Sequence, residues 1–169
     1  MISSHKVFAT EKVAQLLGLE KTKAWRVIKF TEGPEYGIGP SLGAAGGSGS
    51  RRLYDLEDVC QIGLALRLLE TGLRSKAIGR VIRQVRQKGK LSNRLWKEAD
   101  DLCLAIFRTS NMGRPLDEKR RQIVEFVSNK QEALRLANDQ PEDDLILVPL
   151  GSFVAGLKRR LSTTSTKGE

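Results

Sequence analysis

Seven of the chain's 16 glycines fall within residues 33–49, together with Pro34 and Pro40. No run of that composition continues a helix or a central strand, so it divides the first half of the chain into two pieces that must each start and stop on their own signals. The run reads as punctuation rather than as a buried element. It is either a passive linker or the tip of a long β-wing, since Arg51-Arg52-Leu53-Tyr54 follows directly and has strand character.

Before the run lie two short helical patterns. Thr10 is a candidate N-cap, Glu11 complements the positive end of the helix dipole, and Val13, Leu16 and Leu17 repeat at i, i+3 and i+4. Gly18 suits a left-handed stop and Leu19 then falls in a tight turn. The second helix is expected from about Lys21 to Phe30, with Ala24, Val27 and Ile28 inward. Ala14 is small enough to let the two helices cross closely. Lys21, Thr22, Lys23, Trp25 and Arg26 are left outside, and Lys29 extends that surface. Helix, short glycine-containing turn and helix make the helix-turn-helix arrangement.

After the run, Asp55 caps a strongly apolar helix, with Asp58 at N3 as a short capping box, and Gly72 stops it. The next helix begins near Arg74 or Ser75. Ile78, Val81, Ile82 and Val85 form its apolar face, and Lys76, Arg80, Arg83 and Arg86 lie opposite, a basic face that reads either as a solubilising surface or as a phosphate contact. No acid occurs between Glu70 and Glu98. From about residue 90 the pattern changes. A short polar helix is expected over Asn93–Asp100, strands over 102–107, 122–127 and 145–148, and a loop over 111–115. A helix capped by Ser128 or Asn129 runs to Asn138. A last helix runs from Ser152 to Arg160, with Lys158, Arg159 and Arg160 at its negative end, and Ser162–Glu169 is a frayed polar tail. This second half reads as a small α/β module.

Charge follows the same division. Of 169 residues, 29 are Lys or Arg and 20 are Asp or Glu, for a formal net charge of +9. Residues 1–90 carry 16 basic and 8 acidic side chains, while residues 91–169 carry 13 and 12. A basic half beside a near-neutral one points to a polyanionic partner, most simply nucleic acid, against the plainer reading of a solubilising charge. Other classes lack their parts. The opening MISSHKVFATEK has no apolar run, so no secretory leader is expected. The longest uncharged apolar stretch, Leu145–Leu157, is too short to span a bilayer, and no amphipathic helix with large apolar and aromatic residues for a lipid surface is obvious, so no membrane role is expected. Cys60 and Cys103 are isolated, which argues against a disulfide framework or a cysteine zinc site and fits a reducing cytoplasm. One His and no GxSxG, P-loop or HExxH motif leave an enzyme without machinery. Aromatic residues at 5% are too few for a single-stranded RNA platform.

In residues 5–87 the order of these pieces resembles the MerR-type transcriptional regulators. Four segments carry the resemblance: Phe8-Ala9-Thr10-Glu11-Lys12-Val13-Ala14-Gln15-Leu16-Leu17-Gly18-Leu19, the basic helix after it, Arg51-Arg52-Leu53-Tyr54-Asp55-Leu56-Glu57-Asp58-Val59, and Leu68 to Ile78 across Gly72. The resemblance implies a mainly α N-terminal domain with a β-wing, a winged helix-turn-helix over residues 1–90, followed by the α/β module over 91–169. It implies binding of double-stranded DNA, with the helix from Lys21 in the major groove and Thr22, Lys23 and Arg26 facing bases. Arg51 and Arg52 would grip the backbone, and the Tyr54 hydroxyl would reach a phosphate or cap the core. Thr10, Lys21, Trp25, Lys29, Arg74 and Lys76 complete the expected DNA surface. The chain departs from the family in its longer, glycine-rich wing, in Trp25 where Arg is common, and in Val27 where an aromatic is usual. It also has no long heptad helix at the C-terminal end.

The expected function is therefore a sequence-specific, double-stranded DNA-binding regulator of transcription, cytoplasmic and nucleoid-associated. The alternative is an excisionase-like or architectural DNA-binding accessory protein. No cofactor and no metal are expected, and His5 alone is no metal site. The C-terminal module is expected to form a homodimer, by symmetric pairing of strand edges or of the helices that carry the Val154, Leu157 and Leu161 stripe, or to dock a small-molecule or protein effector.

Overall fold

The computed structural model describes residues 7–42, 52–97, 102–109, 122–139 and 143–165. The fold is mixed α/β, mostly helical, with two small antiparallel sheets. It divides into two compact units, Met1–Arg94 with Gly156–Glu169, and Leu95–Ala155. The charge boundary near residue 90 and the spatial boundary part company at the C-terminal end, because residues 156–169 belong with the N-terminal unit.

In the first unit a two-residue strand, β1 (Phe8–Ala9), leads into α1 (Thr10–Leu17), and α2 (Lys21–Thr31) follows after a three-residue turn. Strand β2 (Leu53–Tyr54) pairs antiparallel with β1, Phe8 opposite Tyr54 and Ala9 opposite Leu53. Helix α3 (Leu56–Glu70) has the capping box expected at its start. The Asp58 N–H donates to Asp55 Oδ1 at 2.8 Å and the Asp55 N–H to Asp58 Oδ2 at 3.1 Å. Val59, Cys60, Ile62, Leu64, Ala65 and Leu68 on α3 are all fully buried, which makes it the core helix of the unit. It packs against α1, α2 and α4 (Ser75–Gln87). Helix α5 (Leu91–Lys97) starts where the Glu57 carboxylate accepts the Leu91 and Ser92 N–H groups, at 2.9 and 2.8 Å. Leu91 and Leu95 are buried, so this helix is less polar in its setting than the pattern over Asn93–Asp100 suggested.

The described part of the glycine-rich run, residues 33–42, is not a solvent-borne linker. Tyr36 and Ile38 are buried, and the Phe30 and Tyr36 rings meet at 5.1 Å. The turn closes on Gly33 O, which accepts the Tyr36 and Gly37 N–H groups at 3.1 and 2.8 Å, and Ile38 N–H returns to Thr31 O. Glycine composition marks where backbone bends. It does not register the two apolar side chains set between the bends, and these dock. The tip of the proposed wing, residues 43–51, lies outside the described residues.

The second unit carries a three-stranded antiparallel sheet of order β4-β3-β5, formed by β3 (Cys103–Thr109), β4 (Gln122–Val127) and β5 (Asp143–Pro149). Leu104 faces Phe126 on one side and Val148 on the other, which sets the register. Both outer strands run antiparallel to β3 and hence parallel to each other. They are joined through α6 (Lys130–Asp139), whose Ala133, Leu136 and Ala137 pack with Cys103, Ala105, Phe107, Val127, Leu145 and Leu147. Asn129 caps α6, accepting the Glu132 N–H at 2.8 Å, as its position suggested. The expected loop over 111–115 lies outside the described residues.

The last helix, α7 (Gly151–Ser165), is longer than the pattern implied. Ser152 lies inside its first turn, Lys158, Arg159 and Arg160 lie mid-helix, and the tail expected to fray is helical to Ser165. Ser162 Oγ donates to Arg159 O, and Thr163 Oγ1 to Arg159 O and Arg160 O, so these two hydroxyls are satisfied within the helix. Val154, Leu157 and Leu161 are buried at 5%, 0% and 5% exposure within the single chain. The stripe assigned to dimerisation therefore offers no free surface to a second copy.

One glycine fixes the seating of residues 33–38. A Cβ at Gly79 on α4 would overlap the Glu35 carbonyl oxygen. Helix propensity alone favours Ala over Gly by about 1 kcal/mol. Gly79→Ala is nevertheless expected to destabilise the chain by about 1–3 kcal/mol, as overpacking does. Urea denaturation checks this, and a raised midpoint would contradict the packing.

Candidate nucleic-acid interface

Helices α1 and α2 are set by the turn between them. Gly18 adopts φ +70, and its N–H and that of Leu19 return to carbonyls of α1, with Leu19 N to Ala14 O at 2.9 Å. The turn is closed from outside by α7, where Arg160 Nη1 donates to Leu16 O at 3.0 Å and the guanidinium lies over Gly18. Any side chain at position 18 would meet both a strained φ and Arg160. Val13, Ala14, Leu16, Ala24 and Ile28 are buried between the helices and the core. Arg26, Lys29 and Phe30 are exposed on α2. Lys21, Thr22, Lys23 and Trp25 lie on the same helix, and their side chains are outside the described ones.

Three residues expected on the DNA surface meet each other instead, around Glu32. Tyr54 is fully buried and its hydroxyl donates to Glu32 Oε1 at 2.5 Å. Arg52 Nη1 stands 3.2 Å from Glu32 Oε2. Thr10 lies beside the Tyr54 hydroxyl and opposes, more weakly, the effects of burial and Glu32 on it. Thr10 is the first residue of α1 and makes no N-cap bond, the cap position being Ala9. Of the two roles open to Tyr54, it takes the one in the core. Burial, then the hydrogen bond and charge of Glu32, push its phenol well above the ordinary range. Glu32 was missed by sequence reasoning. Its one signal is that it is the first acid after the four cations of α2, at the point where that helix ends. Arg51 lies outside the described residues.

The basic side of α4 is sorted in the same way. Arg74 and Lys76 are exposed as expected, as are Arg80 and Arg83. Arg86 is taken up by the fold. Its Nε donates to Gln61 Oε1 at 2.8 Å and its Nη2 to Gly37 O at 2.7 Å, tying α3, α4 and the 33–42 segment together.

In the second unit a cleft of about 890 Å³ is lined by Leu102, Cys103, Asn129, Lys130, Gln131, Leu147, Pro149, Gly151 and Ser152. Both cysteines are buried and unbridged, and burial holds the Cys60 thiol well above its usual range. Among the described residues no group of His, Cys, Asp and Glu could hold a metal ion. No described helix is long and apolar enough to cross a membrane. Compared with protein-family models and with curated proteins, the chain matches none.

The setting of Tyr54 has a pH signature. Its neutral form is favoured in the fold, so its contribution is complete below the ordinary phenol pKa of about 10. It is lost as pH rises beyond that, by up to about 1.4 kcal/mol per pH unit. The melting temperature is expected to fall between pH 10 and 11.5, and Tyr54→Phe is expected to flatten that fall. Parallel slopes for the two proteins would contradict the buried Tyr54–Glu32 bond.

Proposed function

We propose that the N-terminal unit binds double-stranded DNA as a winged helix-turn-helix of MerR type, and that the protein is a sequence-specific regulator of transcription. The observation that carries the reading is the α1–α2 pair. Two short helices meet at a left-handed glycine, bury the small residues Ala14 and Ala24, and leave Arg26 and Lys29 exposed on the second helix. A helix of 11 residues is about 16 Å long, a length that fits across the major groove. In this reading Lys21, Thr22, Lys23, Trp25, Arg26 and Lys29 face the duplex from α2, and Arg51 grips the backbone. Arg52 and Tyr54 hold the framework through Glu32, and Thr10 lies beside the Tyr54 hydroxyl.

The surplus of positive charge in residues 1–90 supports the same reading, since Lys and Arg contacts to phosphate supply most of the affinity of such proteins. A two-fold pair of copies belongs to the proposal through the family likeness alone. An effector of the C-terminal unit would seat in the cleft beside Cys103 and Lys130.

The test is a duplex selected for tight binding, titrated with wild type and with Lys23→Ala/Arg26→Ala. A side chain reading a base edge is worth about 1–3 kcal/mol, so the double variant is expected to bind at least tenfold more weakly, with unchanged circular dichroism. Equal affinity of the two proteins would remove α2 from the interface.

A further inference from the structure

Helix α4 is anchored by one face and charged on the other. Ile78, Val81, Ile82 and Val85 are at most 1% exposed, while Lys76, Arg80 and Arg83 are all exposed. At 3.6 residues per turn, positions 76, 80 and 83 fall in one narrow stripe about 10 Å long. A solvated helix face ordinarily alternates signs, because like charges three and four residues apart destabilise a helix and opposite charges stabilise it. No acid interrupts this stripe, since none occurs between Glu70 and Glu98. Among the described residues no hydrogen bond or ion pair engages Lys76, Arg80 or Arg83. Their neighbour Arg86, by contrast, is held by Gln61 and Gly37. The fold thus consumes one cation of α4 and leaves a row of three facing water, at a cost to the helix that the buried face offsets.

What fits such a row is a line of phosphates. Each strand of a duplex presents a charge every 3.4 Å or so of axis, so a stripe of about 10 Å spans about three. Guanidinium groups take phosphate oxygens two at a time. A lipid surface would need the apolar face of the helix, and that face is in the core. A protein partner would want an apolar or aromatic anchor among the charges, and none of the exposed large hydrophobic side chains is on α4. We propose that the Lys76–Arg80–Arg83 face of α4 is a second contact surface, one that grips the DNA phosphate backbone without reading sequence. The inference rests on the DNA-binding reading and adds to it a surface separate from α2.

The test uses the full chain and a long duplex containing a selected site, with affinity measured across a salt series. Lys76→Gln/Arg80→Gln/Arg83→Gln is expected to lower the slope of log affinity against log salt by about 2.7, at about 0.9 for each phosphate no longer neutralised. The ratio of specific to non-specific affinity should stay the same. Relief of like-charge repulsion should leave the urea midpoint unchanged or higher. The control variant Arg135→Gln, which removes an exposed cation of α6, is expected to leave the slope unchanged. An unchanged slope for the α4 variant, with wild-type binding intact, would overturn the second surface and leave the α2 reading standing. A slope lowered equally per cation by the α6 variant would overturn it in favour of a general charge effect. Phosphatidylserine vesicles are the other arm. Binding to them that depends on the three residues, with no such dependence for DNA, would also overturn it. A wild-type chain that binds no duplex would remove both readings together.

Discussion

The Asp58 carboxylate sits on the core helix at 6% exposure, and what satisfies it shapes the unit around it. An unpaired charge at that depth costs several kcal/mol. Here the carboxylate accepts the Ser41 N–H at 3.0 Å, the Ser41 hydroxyl at 2.5 Å and the Asp55 N–H at 3.1 Å. One side chain therefore completes the capping box of α3 and also holds down Ser41, in the described part of the glycine-rich run. Two neighbours on α3 extend the pattern. Gln61 receives Arg86, which reaches on to Gly37 O, and Glu57 caps the start of α5. These polar groups of α3 thus each recruit a different stretch of chain. The same helix packs on α1 and α2, so the exposed face of α2 is positioned through it.

Local signals in the sequence mostly stand where the structure is local, the Thr10 cap being an exception. The Asp55–Asp58 box, the Gly18 stop, the Asn129 cap and the apolar face of α4 each involve residues within about two turns of one another, and each stands as the spacing implied. Contacts distant in sequence were not legible. Arg160 reaches Leu16 across 144 positions, and nothing in a mid-helix arginine marks it as the closure of a turn near the other end of the chain. Tyr36 and Ile38 were hidden by the glycines around them. Thr10 and Tyr54 were recognisable as important residues, but their roles depend on Glu32, which no pattern singles out. The polar tail was read from composition, and the Ser162 and Thr163 hydroxyls bond back to their own helix.

The same separation clarifies the charge. A net charge of +9 in a small protein says little until its cations are divided into those the fold uses and those it leaves to a partner. Arg52, Arg86 and Arg160 are engaged with a carboxylate, a side-chain amide or backbone carbonyls of the chain itself. Arg26 on α2 and Lys76, Arg80 and Arg83 on α4 are exposed. A DNA-binding account needs both sets, the first to hold α2 in place and the second to meet the duplex.

The most direct measurement is selection of bound duplexes from a random-sequence library by the purified full-length chain. The account predicts enrichment of one short motif, repeated about a two-fold axis if two copies read together. Enriched pools showing no common sequence, with binding governed by salt alone, would contradict sequence-specific reading by α2.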